Sequence, residues 1–206
     1  MAQLESSFKN MVVVLTIIAV FAAGTLASVY TLTKAPIAAS KIAKQQQAIK
    51  EVMPSNFHHL ANPITLTEGD ETITIHKGYD LNNQYVGAAV ESSTNSGFSG
   101  RILVMVGFDV NGNILNYTVL EQKETPGLGT KMVDWFKTDK GNQSIIGKNP
   151  AINNLTVNKD GGEVDAITAS TITTRAFLIT IRNAYAALMS TKDNASVSVN
   201  KGSTTN

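Results

Sequence analysis

Twenty-four consecutive residues without a charge, "NMVVVLTIIAVFAAGTLASVYTLT" at positions 10–33, set the first limit on what this chain can fold into. As a helix they extend about 36 Å at 1.5 Å per residue, enough to cross a hydrocarbon core of about 30 Å. The apolar side chains surround that helix instead of forming one stripe, a distribution that suits lipid on most sides. A cleaved signal peptide has a shorter apolar stretch ending at a small-residue site. "LAS" offers such a site, but the run is long for a signal and continues past it, so a retained single-pass anchor is expected. Lys9 and the terminal amine flank one end, and Lys34, Lys41 and Lys44 the other. That lysine count, taken alone, favours the globular part on the inside.

The remainder must supply a core of its own. With 43% hydrophobic and 16% charged residues in 206, the chain has material for one packed domain beyond the anchor. Seventeen basic against sixteen acidic side chains leave a formal charge of +1, which gives nucleic acid no electrostatic footprint. The absence of cysteine removes disulfides, thiolate metal sites, iron–sulfur clusters and a cysteine nucleophile together. His58, His59 and His76 stand without ligand spacing, so no metal site is expected.

Past the anchor, Ile42, Ile49, Val52 and Met53 recur at near-heptad intervals, which predicts an amphipathic helix leading away from the bilayer. Pro54 and Pro63 bracket a turn-rich link. Strand patterns follow in "ETITIHKGY", "QYVGAAVES", "RILVMVGFD" and "NILNYTVLE". "DLNNQ" and "DVNGN" read as hairpin turns, Asn111–Gly112 being the stronger signal. "RILVMVGF" is apolar nearly throughout, as a central strand covered on both faces would be. "TKMVDWFKT" reads as a short helix, "AINNLTV" as a further strand, and "TITTRAFLITIRNAYAALMS" as a long helix. The tail from residue 192 is polar and expected to fray. The fold class is α+β: a largely antiparallel sheet with a long C-terminal helix packed on it, preceded by one transmembrane helix.

Three loops carry the chemistry. In "ETPGLG", residues 124–129, Pro126 fixes a dihedral while Gly127 and Gly129 permit positive φ and close approach by a flat ligand. "SGFSG", residues 96–100, is a second glycine-rich loop with Phe98 at its centre. In "DAITASTITTR" a helix start is surrounded by hydroxyls, with Arg175 one turn in, an arrangement that suits a phosphate. Taken singly, each has a plainer reading: two glycine turns and a capped helix with surface threonines. None matches a Walker loop or a dinucleotide fingerprint.

Their order behind one membrane helix resembles the family of FMN-binding domains that carry covalent flavin, found in Rnf-type and sodium-pumping quinone-reducing ion-translocating complexes. The resemblance extends from the anchor to the last helix. Its motif, D-x-x-[ST]-[GA]-A-[ST]-x-[ST], aligns Asp165 as the acid, Thr168 as the first hydroxyl, Ala169 as the small residue, Thr171 as the flavin acceptor and Thr173 as the last hydroxyl. Ser170 stands where alanine is usual, placing another hydroxyl beside the acceptor. The resemblance implies FMN bound to Thr171 through a phosphoester, installed by a separate transferase that takes FMN from FAD. It also implies a flavin pocket including Gly97, Phe98, Gly100, Glu124, Thr125, Leu128 and Gly129, with Arg175 near the phosphate.

The expected function is therefore an electron-transfer subunit, not a stand-alone catalyst, working among other membrane and peripheral subunits of an ion-translocating ferredoxin:NAD oxidoreductase complex. The alternatives are an FMN-binding subunit of a quinone-reducing pump or reductase, and an anchored module binding a non-redox ligand. The expected organisation is a tail (1–9), a membrane helix in lipid (10–33), a juxtamembrane helix and link (34–62), the FMN-binding domain (63–191) and a polar tail (192–206). The resemblance places the domain outside the cytoplasmic membrane, against the lysine count.

Overall fold

The computed structural model describes residues 8–68 and 71–200. The chain divides into two compact units between Lys44 and Gln45. The first unit is built on α1 (Phe8–Val52), a 45-residue helix that passes through Pro36 without ending, so the anchor and the helix expected after it are one element. Among the described residues it is the one helix long and apolar enough to cross a membrane, and its apolar window is exposed on all sides. The polar hydroxyls along it are satisfied locally. Thr16, Thr25, Ser28, Thr31 and Thr33 each donate to the carbonyl four residues back at 2.8–2.9 Å. A lipid setting requires this, because no water is there to take the bond.

The second unit holds a six-stranded antiparallel sheet: β1 (His59–Leu60), β2 (Ile64–Glu68), β3 (Glu71–Tyr79), β4 (Tyr85–Gly97), β5 (Gly100–Asp109) and β6 (Ile114–Glu121). The order is β1-β3-β4-β5-β6, with β2 pairing on β3 beside β1. Two short strands, β1 and β2, fall in and just after the stretch read as a link, where Pro63 interrupts any longer alternation. The hairpins on either side of β4 and β5 close on tight turns. Asp80 and Asp109 each accept two backbone N–H groups at 2.8 Å, and Gly112 takes φ +87°.

Strand β5 is covered on both faces, as its composition predicts. Ile102, Val104, Val106 and Phe108 face the main core, which α3 (Thr171–Asn200) covers with Phe177, Ile181, Ala184 and Leu188 at helical spacing. Phe177 stacks on Phe136 at 4.5 Å between ring centroids and meets Tyr117 edge-on at 4.9 Å. On the opposite face Met105 and Ala89 pack under Ala48, Ile49 and Val52 from the last turns of α1, with Met53. Of the near-heptad residues, Ile42 is exposed and the other three are buried.

Two expectations need correction. "AINNLTV" forms no strand; only Val157 makes an isolated parallel bridge, to Val164. Asparagines in it and just before it take over the backbone. The Asn149 amide nitrogen donates to the Asn111 carbonyl, and the Asn149 and Ala151 N–H groups bond to the Asn153 and Asn149 side chains. The short helix expected in "TKMVDWFKT" is present as α2 (Met132–Trp135), entered through a 3₁₀ turn at Gly129–Lys131. Helix α3 continues through Asn200 instead of fraying after Ser190, and residues 1–7 and 201–206 lie outside the described residues.

Candidate functional site

The β4–β5 hairpin, the loop after β6 and the start of α3 meet around a cleft of about 390 Å³, within the roughly 300–1,000 Å³ range of small-molecule sites. Its walls are Phe98 from the hairpin, Glu124, Thr125, Leu128 and Gly129 from the loop, and Ala169 to Thr173 from the helix start. Each contributor has a local reason for its position. "SGFSG" is the tip of a long hairpin: Gly97 pairs with Gly100, Gly100 takes φ +111°, and Phe98 is left projecting, 66% exposed. "ETPGLG" folds on itself. The Leu128 N–H donates to the Thr125 carbonyl, the Gly127 N–H to Thr130 Oγ1, and Gly127 supplies φ +73°.

At the helix start Ala169 adopts φ +60°, an uncommon conformation for a residue with a Cβ, and turns the chain sharply into α3. The motif's demand for a small residue there has this backbone cause. The Ser170 carbonyl opens the helix by accepting from both the N–H and the hydroxyl of Thr174. The N–H groups of Thr171, Ile172 and Thr173 precede the first intrahelical bond and carry the positive end of a 30-residue helix dipole.

Burial sorts the hydroxyls. Thr173 is 1% exposed and donates to Glu124; Thr174 is fully buried, accepting from the Ile167 N–H and donating to the Ser170 carbonyl. Ser170 is 8% exposed. Thr171 and Thr168 retain access to solvent, and Thr171 alone of these two lines the cleft.

Two residues grouped with the site by the sequence motif lie elsewhere. Arg175 forks onto Asp160, its Nε 2.7 Å and one terminal nitrogen 2.8 Å from the two carboxylate oxygens, and lines a separate pocket with Arg182 and Leu178. That bond holds the Asp160 carboxyl below its usual range. Arg175 lies one turn beyond Thr171 on the same exposed face of α3, and the fork onto Asp160, not helix periodicity, keeps its guanidinium out of the cleft. Asp165 holds the incoming loop. Its carboxylate accepts from the Asn142 N–H and the Asn158 amide, and its carbonyl accepts from Trp135 Nε1. Ile172, 49% exposed on the cleft wall, has no signal in the sequence, where it reads as one more β-branched helix residue.

The arrangement offers an apolar trough, flanked by Phe98, Leu128 and Ile172, that ends at a helix N-terminus beside an accessible hydroxyl. Among the described residues, no lysine or arginine lines it. It suits a planar aromatic group tethered to a phosphate carrying a single charge, which free helix amides can satisfy without a counter-ion.

Comparison with known proteins agrees with this chemistry. Residues 97–186 match the FMN-binding domain, and residues 1–52 match the RnfG N-terminal region. The chain is 34% identical over 182 residues to the G subunit of the ion-translocating oxidoreductase complex of Yersinia pestis, covering 84% of this chain and 86% of the relative. It is 33% identical to the protein of the same name in Escherichia coli K12, covering 81% and 85%. Against that of Vibrio atlanticus it is 32% identical over 189 residues, covering 87% and 89%.

Proposed function

The chain belongs to the family of G subunits of ion-translocating oxidoreductase complexes, and from that membership we propose that it is a membrane-anchored flavoprotein subunit that carries FMN on Thr171 and passes electrons within such a complex. The observation that carries the reading is the convergence of three loops, distant in sequence, on one cleft where Thr171 is the solvent-accessible hydroxyl at the start of α3. FMN supplies reversible one- and two-electron chemistry when bound. Phe98, Leu128 and Ile172 would flank its ring. The N–H groups at the start of α3 would hold the phosphoester charge, and Ser170 is small enough to leave them open. Glu124 and the Ala169 corner shape the walls, while Thr168, Asp165 and Arg175 act outside the cleft. A covalent link keeps a flavin from being lost by dilution where no FMN pool replaces it, which suits a domain outside the cytoplasmic membrane. A flavin transferase, the other subunits and membrane lipid are the partners this reading requires.

The full-length protein, made together with a flavin transferase, should be yellow, with flavin absorption that stays with the chain after denaturation. A colourless product under those conditions sinks the reading. Arg175→Ala should leave flavin content at the wild-type level, because its guanidinium is occupied by Asp160 in a different pocket. A drop in content would return Arg175 to the phosphate.

Topology has a direct test because the chain contains no cysteine. Ser55→Cys, exposed after the end of α1, should react with a membrane-impermeant maleimide in right-side-out vesicles. Labelling confined to inverted vesicles would place the domain inside, as the flanking lysines suggest.

A further inference from the structure

Among the described residues, Glu124 is the one carboxylate on the cleft wall, yet it is only 4% exposed and both of its oxygens are taken by protein groups. Oε2 accepts from the Thr173 hydroxyl at 2.5 Å, and Oε1 accepts from the Ser99 N–H at 2.9 Å. Those partners belong to the helix start and the hairpin tip, while Glu124 itself begins the third loop. Two glycines make room for it. A Cβ on Gly129 would lie 2.8 Å from Oε2 and 2.9 Å from Thr173 Oγ1, and one on Gly97 would lie 2.7 Å from Oε1. Neither glycine has a positive φ; Gly129 provides space for this carboxylate, while a Cβ on Gly97 would first meet the Gly100 carbonyl oxygen, 2.3 Å away across the hairpin tip, and then the carboxylate.

We infer that Glu124 is a positioning residue: its buried carboxylate latches the Phe98 hairpin and the Leu128 loop to the first turn of α3 and thereby aims Thr171 into the cleft for modification. The modification step rests on the flavin reading above; the latch itself does not. A charge-assisted bond to a hydroxyl and one to an amide are the stronger kinds of hydrogen bond, and burial strengthens them. The same bonds hold the Thr173 hydroxyl inside the protein, two residues from the acceptor, where it cannot compete for the flavin. Both roles follow from hydrogen bonding and neither needs the negative charge to act on the flavin.

The test uses the full chain, unmodified at the start, and follows two readouts. The first is amide exchange of Ser99 and of residues 127–129. The second is the rate of covalent flavin attachment by a flavin transferase supplied with FAD. Glu124→Ala should speed Ser99 exchange at least tenfold and slow attachment on the order of 10²-fold, the usual consequence of an ångström-scale misplacement. Thr173→Val should slow attachment similarly, and the double variant should be no slower than the slower single, because one latch is being broken twice. Glu124→Gln should rescue both readouts to within a few-fold. Its carbonyl can still accept from Ser99, and its amide can donate to a Thr173 hydroxyl turned to accept. Thr173→Ser should rescue likewise.

Unchanged Ser99 exchange in Glu124→Ala overturns the latch whether or not flavin attaches. Glu124→Gln that keeps Ser99 exchange at the wild-type rate yet attaches flavin as slowly as Glu124→Ala would assign attachment to charge and overturn the positioning role. If Glu124→Ala does not fold, Thr173→Val decides, since it keeps the bond to Ser99. A wild type that shows the exchange pattern but never takes flavin would count against the flavin reading and leave the latch standing.

Discussion

Thr171→Ala is expected to abolish covalent flavin while leaving the fold in place. Five hydroxyls crowd the stretch from residue 168 to 174, and the structure disposes of three. Thr173 and Thr174 are buried in hydrogen bonds that hold the corner together, and Ser170 is 8% exposed with its carbonyl opening the helix. Thr168 is exposed but does not line the cleft. Thr171 is the remaining candidate, half-buried at the first helical position, where free amides lie within reach of a phosphate. The wild-type band should fluoresce on a denaturing gel, and its mass should exceed the bare chain by FMN less one water. Both signals should vanish in Thr171→Ala. The melting point should fall by only a few degrees, since truncating a helix-start hydroxyl typically costs about 1 kcal/mol. Thr171→Ser should retain attachment, because the nucleophilic oxygen remains. A fluorescent Thr171→Ala would move the acceptor to Ser170, which also lines the cleft.

Gly107→Val should prise the end of α1 off the sheet. A Cβ at this position would sit 1.9 Å from the Val52 carbonyl oxygen and 2.7 Å from its carbon, both backbone atoms that no rotamer change can move. The clash falls in the middle of a small core of Ala48, Ile49, Val52, Ala89 and Met105, all buried. Overpacking of this kind costs about 1–3 kcal/mol. At roughly 2–4 °C per kcal/mol for a domain of this size, the melting point should fall by several degrees. Proteolysis between residues 45 and 58 should accelerate with it. Flavin attachment should persist, because β5 leaves the cleft at Gly100 and meets α1 seven residues later, about 23 Å along the strand. An unchanged melting point would mean that the end of α1 contributes nothing to the sheet it packs on. By contrast, Gly78→Ala should be tolerated, because its nearest neighbour is the flexible end of the Met53 side chain.

Glycines show what a sequence hides. In one dimension Gly107 reads as one more small residue in an apolar strand, since nothing local records that a helix backbone crosses it. Gly129 reads as a flexible turn residue, and in the fold it is a spacer beside a buried carboxylate. The same limit explains Arg175. Proximity along the chain placed it at the phosphate, whereas its guanidinium is taken by Asp160, a partner fifteen residues earlier that lines a different pocket. It explains "AINNLTV" as well, whose apolar spacing suits a strand until Asn153 and Asn154 donate to the Glu163 carboxylate and the Gly161 carbonyl in the turn that follows.

What the sequence determined by itself are the properties that depend on runs and periods. The uncharged stretch dictates a membrane helix, the alternating segments dictate the antiparallel strands β3 to β6, and the helical spacing after Thr171 dictates the cover for one sheet face. These follow from local chemistry, because each element exposes or buries its own residues in a fixed rhythm. Tertiary structure alone decided that three loops share one cleft, that the other sheet face is closed by the end of α1, and that among the helix-start hydroxyls on the cleft wall Thr171 is the accessible one. The reason is that burial and hydrogen-bond partners are set by residues far away in the chain: the Thr173 hydroxyl is hidden by Glu124, forty-nine positions before it.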